Sequence, residues 1–344
     1  MKTDMMTENE ARELAEKHLD NVVDSMKDVP IAEGVTQYSG KVRENYIIGG
    51  KSPTRVMLTT DRVSVFDQVV GTIPFKGQVL DDITHWWFDR TEATVPNHVI
   101  ERPAKTITVA EQCSPLKVEI VVRAYLTGTS STSIWTAYER GEPRFCGYEL
   151  PQGMKKDQKL PYLMITPSTK AEKGEHDISI DHDAAKALLP GTDTERGLLW
   201  QQVQSISLAL FLRGEALAKD MGLILVDTKY EMGIDPQGRL VLIDEIHTPD
   251  SSRFWEADMY EPCFAAGEDP IPLSKQFVRD AVITKGYDPR KGGKIPMLDN
   301  SDRVNCAALY IMLCQRMTGR PFTPDVRINE ERVYAPLKNL GVLR

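Results

Sequence analysis

The chain has 344 residues, of which 27% are charged and 41% hydrophobic, and its formal net charge is -8 at pH 7. That length supports a sizeable core, and the mix excludes a disordered chain. The acidic balance excludes a dedicated nucleic-acid binder, which carries a net basic face, while leaving room for a local basic pocket that takes a small anion.

The first 19 residues carry acids throughout and no continuous apolar run, so no signal peptide is expected. No stretch reaches the roughly 18 apolar residues of a membrane span. The five cysteines, Cys113, Cys146, Cys263, Cys306 and Cys314, show no CxxC or Cys/His spacing. A reduced, cytoplasmic protein without a zinc site is the expectation.

Apolar spacing predicts an amphipathic helix over 8–26. Short β-rich segments follow at 42–48, 55–60 and 99–110, interrupted by a helix at 78–90. "EQCSP" (111–115) reads as a connector, because Pro115 discourages regular structure across it. This divides the chain into domains 1–115 and 116–344. Beyond it lie a β-branched strand at 117–126, a helix at 130–140 and a Gly/Pro/Lys-rich surface stretch at 141–162. A long helix at 196–220 is stopped by Gly222. Strands 223–231 and 239–246 flank the turn formers of "GIDPQGR", which predicts an antiparallel hairpin. Helices at 274–285 and 301–317 close the series. Without regular βαβ alternation, the class is α+β.

The chemistry concentrates on that hairpin. In "DTKYEMG" (227–233), strand alternation puts Asp227, Lys229 and Glu231 on one face. On the partner strand Asp244 shares a face with Leu242, and Glu245 points the other way. The hairpin therefore brings Glu231 and Asp244 together, and adjacent carboxylates repel unless a cation sits between them. Mg²⁺ suits them, being a hard cation that takes carboxylate oxygens, water and phosphates; a salt-bridged sheet end is the alternative. "TPDSSRFW" (248–255) adds Asp250 and the planar fork of Arg253, which fits a phosphate or carboxylate. "YSGKVRENY" (38–46) sets Gly40, Lys41 and Arg43 in a short loop that can cover phosphates. "VVRAYLTGTSSTS" (121–133) runs Arg123 into a Gly/Ser/Thr loop able to cradle an anion. "TPSTKAEKGEHD" (166–177) gathers Lys170, Lys173, Glu175, His176 and Asp177, a charge run whose ordinary reading is solvated surface. No GxSxG, Cys–His pair or HExxH accompanies them, so phosphoryl transfer by positioning and charge neutralisation is the chemistry expected.

In order, these segments resemble the SAICAR synthetase (phosphoribosylaminoimidazole-succinocarboxamide synthase) family over residues 36 to 285. The resemblance implies an ATP-dependent ligase of purine biosynthesis. Such an enzyme joins L-aspartate to the carboxylate of carboxyaminoimidazole ribonucleotide (CAIR) through an acyl phosphate. It implies a small kinase-like β-rich lobe over a larger ATP-grasp-like domain, with ATP between them and the backbone of 111–116 meeting the adenine. Carried over by motif, Gly40, Lys41 and Arg43 approach the ATP phosphates, and Glu231 and Asp244 hold Mg²⁺. Arg123, Thr129 and Arg253 grip the CAIR phosphate, with Ser130 or Ser131 in place of Thr129 as alternatives. Asp227 and Lys229 face the imidazole and its carboxylate, Asp250 lies near the ribonucleotide, and Lys170 and Asp177 orient CAIR or aspartate. A kinase-like phosphotransferase lacks support because HRD and DFG elements are missing. A non-catalytic nucleotide-binding module is disfavoured by the intact Lys229, Glu231, Asp244 and Arg253. The implied partners are small molecules only, with no nucleic acid, membrane or oligomer predicted. No role for His247, or for the tail after residue 286, is legible.

Overall fold

A computed structural model describes residues 4–130, 133–170, 177–273, 275–289 and 291–344. Helix α1, Glu8–Lys17, starts on a capping box in which Thr7 and Glu10 satisfy each other's backbone amides. It stops well short of residue 26. Val23 and Met26, expected on its apolar face, instead enter the core of the first sheet, where the Val23 amide donates to Asp61 at 2.7 Å.

That sheet contains β1 (Val35–Ser39), β2 (Arg43–Ile48) and β3 (Thr54–Thr59). After the small ribbon β4 (Arg62–Val65) and β5 (Gln68–Thr72) and helix α2 (Lys76–Thr91), β6 (Val99–Ala104) and β7 (Ile107–Glu111) complete it. The antiparallel order is β1-β2-β3-β7-β6. Gly77 lets α2 start hard against β3, since a Cβ there would lie 2.4 Å from the Thr59 carbonyl oxygen. Tyr46, Val56, Leu58 and Ile107 form the inner face of the sheet, and Val333, Leu337, Val342 and Leu343 return from the far end of the chain to cover it.

The connector carries a two-residue strand, β8 (Ser114–Pro115), paired to the second sheet. There β9 (Val118–Tyr125) precedes helix α3 (Ile134–Glu139), which begins four residues later than expected because Ser133 caps it. The stretch 141–162 contains β10 (Arg144–Phe145), β11 (Tyr148–Glu149) and the start of β12 (Lys159–Thr169), so it is more than surface. Phe145, Leu150 and Leu160 bury there against Ile134. After α4 (His182–Ala187) the long helix α5 (Asp193–Asp220) opens on a capping box at Thr192 and Glu195. Gly222, at φ +70°, follows its end as predicted. The hairpin β13 (Leu223–Ile234) and β14 (Leu240–Ile243) is antiparallel, with Glu231 opposite Ile243. β15 (Ser252–Glu256), α6 (Ala257–Ala266), α7 (Gln276–Thr284), α8 (Asn300–Thr318) and α9 (Ala335–Asn339) complete the series. The larger sheet runs β12-β9-β13-β14, with β15 and β8 also on β13. No helix among the described residues is long and apolar enough to cross a membrane.

His247 is a packing residue. Fully buried, it bonds the Tyr230 hydroxyl through Nε2 at 2.6 Å and packs edge-on to Trp87. Burial pushes its imidazole down to about 3. Gly214 of α5 makes room for it: a Cβ there would sit 2.3 Å from His247 Cε1 and 2.9 Å from Leu225 Cδ2. Alanine ordinarily stabilises a helix by about 1 kcal/mol over glycine. Gly214→Ala should do the reverse, costing about 1–3 kcal/mol through overpacking, read as a lowered urea midpoint.

Candidate active site

Strand β13 lies centrally in the larger sheet, so its charged face is held by neighbours on both sides. Asp227 pairs in register with Arg123 of β9, and Lys229 with Val121. The same alternation that places Arg123 also places Glu119 on this face, a residue the motif reading passed over. The Lys229 ammonium donates to Glu119 Oε1 at 2.7 Å and to Glu231 Oε1 at 2.8 Å. Lys170 donates to the other Glu231 oxygen. Burial works against ionising Glu231, but Lys229 and Lys170 outweigh it and hold the carboxyl well below its usual range. Burial also works against the Lys229 charge, and Glu231 and Glu119 more than offset it. Lys229 is thus a fixed cation. Glu119 has only a share in that cation, and its burial pushes it up to about 7.

The hairpin differs from the predicted alternation at its far strand. β14 ends at Ile243, and Asp244 turns left-handed at φ +69°. The turn swings Glu245 to the side of Asp244 instead of opposite it. Arg43 Nη1 donates to both Asp244 oxygens at 2.9 Å, and its Nη2 lies 3.2 Å from Glu245. Burial pushes the Asp244 carboxyl up against the pull of Arg43, and Glu231 and Glu245 add to that rise.

Between the two sheets lies a cleft of about 940 Å³. Gly40, Lys41 and Arg43 line it from the first sheet, and Lys229, Glu231 and Asp244 from the second. Lys170, Asp177 and Asp250 also reach it. Residues 171–176, with Lys173, Glu175 and His176, lie outside the described residues. Lys41 pairs with Asp67 at the rim. Asp250 is only 3% exposed and forms the hub of a buried ion network. It accepts from Lys76 at 2.8 Å, Lys275 at 3.4 Å and the Tyr310 hydroxyl at 2.7 Å. These cations come from chain segments remote from Asp250, so no local spacing announces them.

Arg123, Asp227 and Arg253 form an adjoining cluster further along β13. Arg123 Nη1 donates to Asp227 Oδ2 at 2.9 Å, and Nε to Thr166 at 2.8 Å. Arg253 Nη1 lies 3.2 Å from the same Asp227 oxygen, but this buried atom makes no hydrogen bond. Arg279 of α7, not singled out in the motif reading, adds a third guanidinium; burial and Arg253 both weaken its hold on its proton. The turn bearing Thr129 and Ser130 crosses this cluster. Gly128 takes φ +111°, and a Cβ there would be 2.5 Å from Ser133 Cβ and 3.7 Å from Arg253 Nη1. Thr129 is exposed on that turn and Ser130 half-buried. Three guanidinium groups around one carboxylate leave an excess of positive charge, with a donor available for an anion.

No group of three His, Cys, Asp or Glu among the described residues is placed to hold a metal. Glu231 and Asp244 nevertheless face one cleft, each already drawing a cation, and each raises the cost of ionising the other. Two hard carboxylates fit Mg²⁺, which completes its shell with water and phosphate oxygens.

Comparison with known proteins supplies the class. A family model described as SAICAR synthetase matches residues 36–292. A putative phosphoribosylaminoimidazole-succinocarboxamide synthase 2 of Agrobacterium fabrum is 42% identical over 304 residues, covering 87% of this chain and 92% of that protein. The phosphoribosylaminoimidazole-succinocarboxamide synthase of Legionella pneumophila is 41% identical over 289 residues, covering 84% and 89%. The SAICAR synthase of Saccharomyces cerevisiae, solved in complex with SAICAR, superposes at a TM-score of 0.69 with 27% identity, covering 88% of this chain and 99% of that one. The α+β fold is that of the SAICAR synthetases, ATP-dependent ligases of purine biosynthesis. The chain belongs to the SAICAR synthetase family, the phosphoribosylaminoimidazole-succinocarboxamide synthases.

Proposed function

We propose that this enzyme joins L-aspartate to the carboxylate of CAIR at the expense of ATP, giving SAICAR, ADP and phosphate. The observation that carries the reading is the charged face of β13, where Lys229 sits between Glu119 and Glu231 beside the guanidinium cluster. SAICAR in the yeast relative accords with that product. ATP lies between the two sheets, the first 115 residues forming the nucleotide lobe and residues 116–344 the substrate domain. The chain's last residues fold back over the nucleotide lobe. The 111–116 backbone borders the adenine, and Gly40, Lys41 and Arg43 approach the phosphates. Glu231 and Asp244 hold Mg²⁺, which when bound neutralises phosphate charge.

In the first step a CAIR carboxylate oxygen attacks the γ-phosphorus, and the bond from phosphorus to the ADP oxygen breaks. Lys229, a permanent cation, stabilises charge on the reacting carboxylate and does not act as a base. Asp227 and Lys229 orient the imidazole and its carboxylate. Arg123 and Arg253, with Thr129 or Ser130, hold the ribonucleotide phosphate, and Asp250 lies near the ribonucleotide, fixing the turn that leads into β15 and Arg253. In the second step the aspartate amine attacks the acyl carbon, the C–O bond to phosphate breaks, and the nitrogen loses a proton. Lys170 and Asp177 orient CAIR or aspartate. ATP supplies the activation, so no protein nucleophile is required. The free thiols of the five cysteines accord with a cytoplasmic setting.

The test is ADP release by the purified protein with ATP and Mg²⁺, omitting CAIR or aspartate in turn. Amide product that requires both is the expected result. ADP formed at full rate without either one removes the ligase reading.

A further inference from the structure

The turn that bears Gly40, Lys41 and Arg43 is held from behind by Thr60, which follows β3, and Arg62, the first residue of β4. The Thr60 amide and hydroxyl both donate to the Val42 carbonyl, at 3.0 and 2.8 Å. Arg62 Nε donates to the Lys41 carbonyl and Nη2 to the Gly40 carbonyl, each at 3.1 Å. Arg62 Nη1 donates to the Asp24 carbonyl at 3.0 Å and to Glu44 Oε1 at 2.6 Å. Three consecutive carbonyls are therefore fixed on one side of the turn.

A trans peptide points its N–H opposite its C=O. Capturing the carbonyls of residues 40, 41 and 42 turns the amides of Lys41, Val42 and Arg43 the other way. The Lys41 and Val42 amides have no acceptor among the described residues. Successive amides pointing together make an anion-binding concavity, and residues 40–43 line the cleft. Arg62 also lines the cleft, but little of it is left to offer a ligand. Its side chain is 8% exposed, and four of its five donors are engaged within the protein.

We propose that Arg62 is a positioning residue that holds the 40–43 turn so that its backbone amides face the phosphates of the nucleotide. The proposal rests on the reading of the cleft as an ATP site. It needs arginine in particular, because only a planar fork reaches two successive carbonyls while pairing with Glu44. The bland competitor is that Arg62 merely neutralises Glu44, which is fully buried.

Arg62→Lys separates the two, since it keeps a charge for Glu44 but cannot span both carbonyls. ADP binding to the full chain is measured by titration calorimetry, alongside amide exchange over residues 39–44. Expected are an ADP Kd weakened about tenfold, the effect of one lost charge-assisted hydrogen bond, faster exchange in the turn, and an unchanged CAIR KM. Wild-type ADP affinity and exchange in Arg62→Lys would overturn the proposal, leaving Arg62 as a partner for Glu44. So would equal weakening of ADP and CAIR. Should Arg62→Lys fail to fold, Glu44→Gln/Arg62→Gln removes both charges together, and wild-type ADP affinity in that double variant is equally fatal. Because ADP binding and exchange need no turnover, a wild-type protein that binds ADP yet makes no amide product sinks the reaction and leaves this inference standing. A wild-type protein that binds no ADP sinks the inference itself.

Discussion

Glu231→Gln and Asp244→Asn should each lower turnover at least about a hundredfold, the scale of losing one preorganised charge contact in a closed site, with little change in folding stability. The structure gives the reason for the split. Glu231→Gln leaves Lys229 paired with Glu119, and Asp244→Asn leaves Arg43 paired with Glu245. Neither substitution strands a buried cation, since the Lys170 that Glu231→Gln releases has a side chain 38% exposed. What each removes is a negative oxygen facing the cleft, which the paired cations do not need but a divalent ion does. The measurement is kcat across an Mg²⁺ titration, with the urea midpoint as control. Near-normal turnover at saturating Mg²⁺ in both variants would place the metal elsewhere.

The opposite pattern is expected for Lys229→Met, where stability and turnover fall together. Glu119 then loses its cation and Glu231 keeps only Lys170. A fully buried broken pair costs about 3–5 kcal/mol. The Lys229 side chain is 34% exposed, so solvent screening brings the expectation down to about 2 kcal/mol. The loss should depend on pH in a definite direction. Burial pushes the Glu119 carboxyl up to about 7 in the folded protein, above its ordinary 4.5. Folding therefore favours its protonated form, so this contribution is fully present below pH 4.5 and disappears as pH rises through 7. Removing Lys229 raises that carboxyl further. Urea unfolding at pH 5 and pH 8 should show the variant's deficit widening at the higher pH. If the variant keeps wild-type kcat while losing stability, Lys229 is a structural bridge and not a participant in the reaction.

The strand residues of the site were legible because alternation is a strict rule: once β13 is a strand, Asp227, Lys229 and Glu231 share a face. Glu119 was equally accessible by the same step from Arg123. Glu245 was misplaced because a left-handed residue breaks alternation, and nothing in "LIDEIH" marks Asp244 as that residue. The opening helix was overextended for a related reason. Val22, Val23 and Met26 continue its apolar spacing, yet an aspartate 38 positions away captures the Val23 amide. The network around Asp250 was out of reach altogether, since Lys76 and Tyr310 meet it across 174 and 60 positions. Periodicity reports which face a side chain takes, and it is silent about which distant element will meet that face.

The return of residues 333–343 to the first sheet has a consequence during synthesis. Ile31 bridges to Leu343, and the Ala32 amide donates to the Val342 carbonyl at 2.9 Å. The strands that need this cover are complete by Glu111. At about 5–20 residues per second, a ribosome takes roughly ten to fifty seconds to travel from there to residue 343. Through that interval Val56, Leu58 and Ile107 wait with Val23 and Met26 but without Val333, Leu337, Val342 and Leu343. The earlier-made lobe is therefore the one sealed last, with apolar surface exposed to aggregation in the nascent chain.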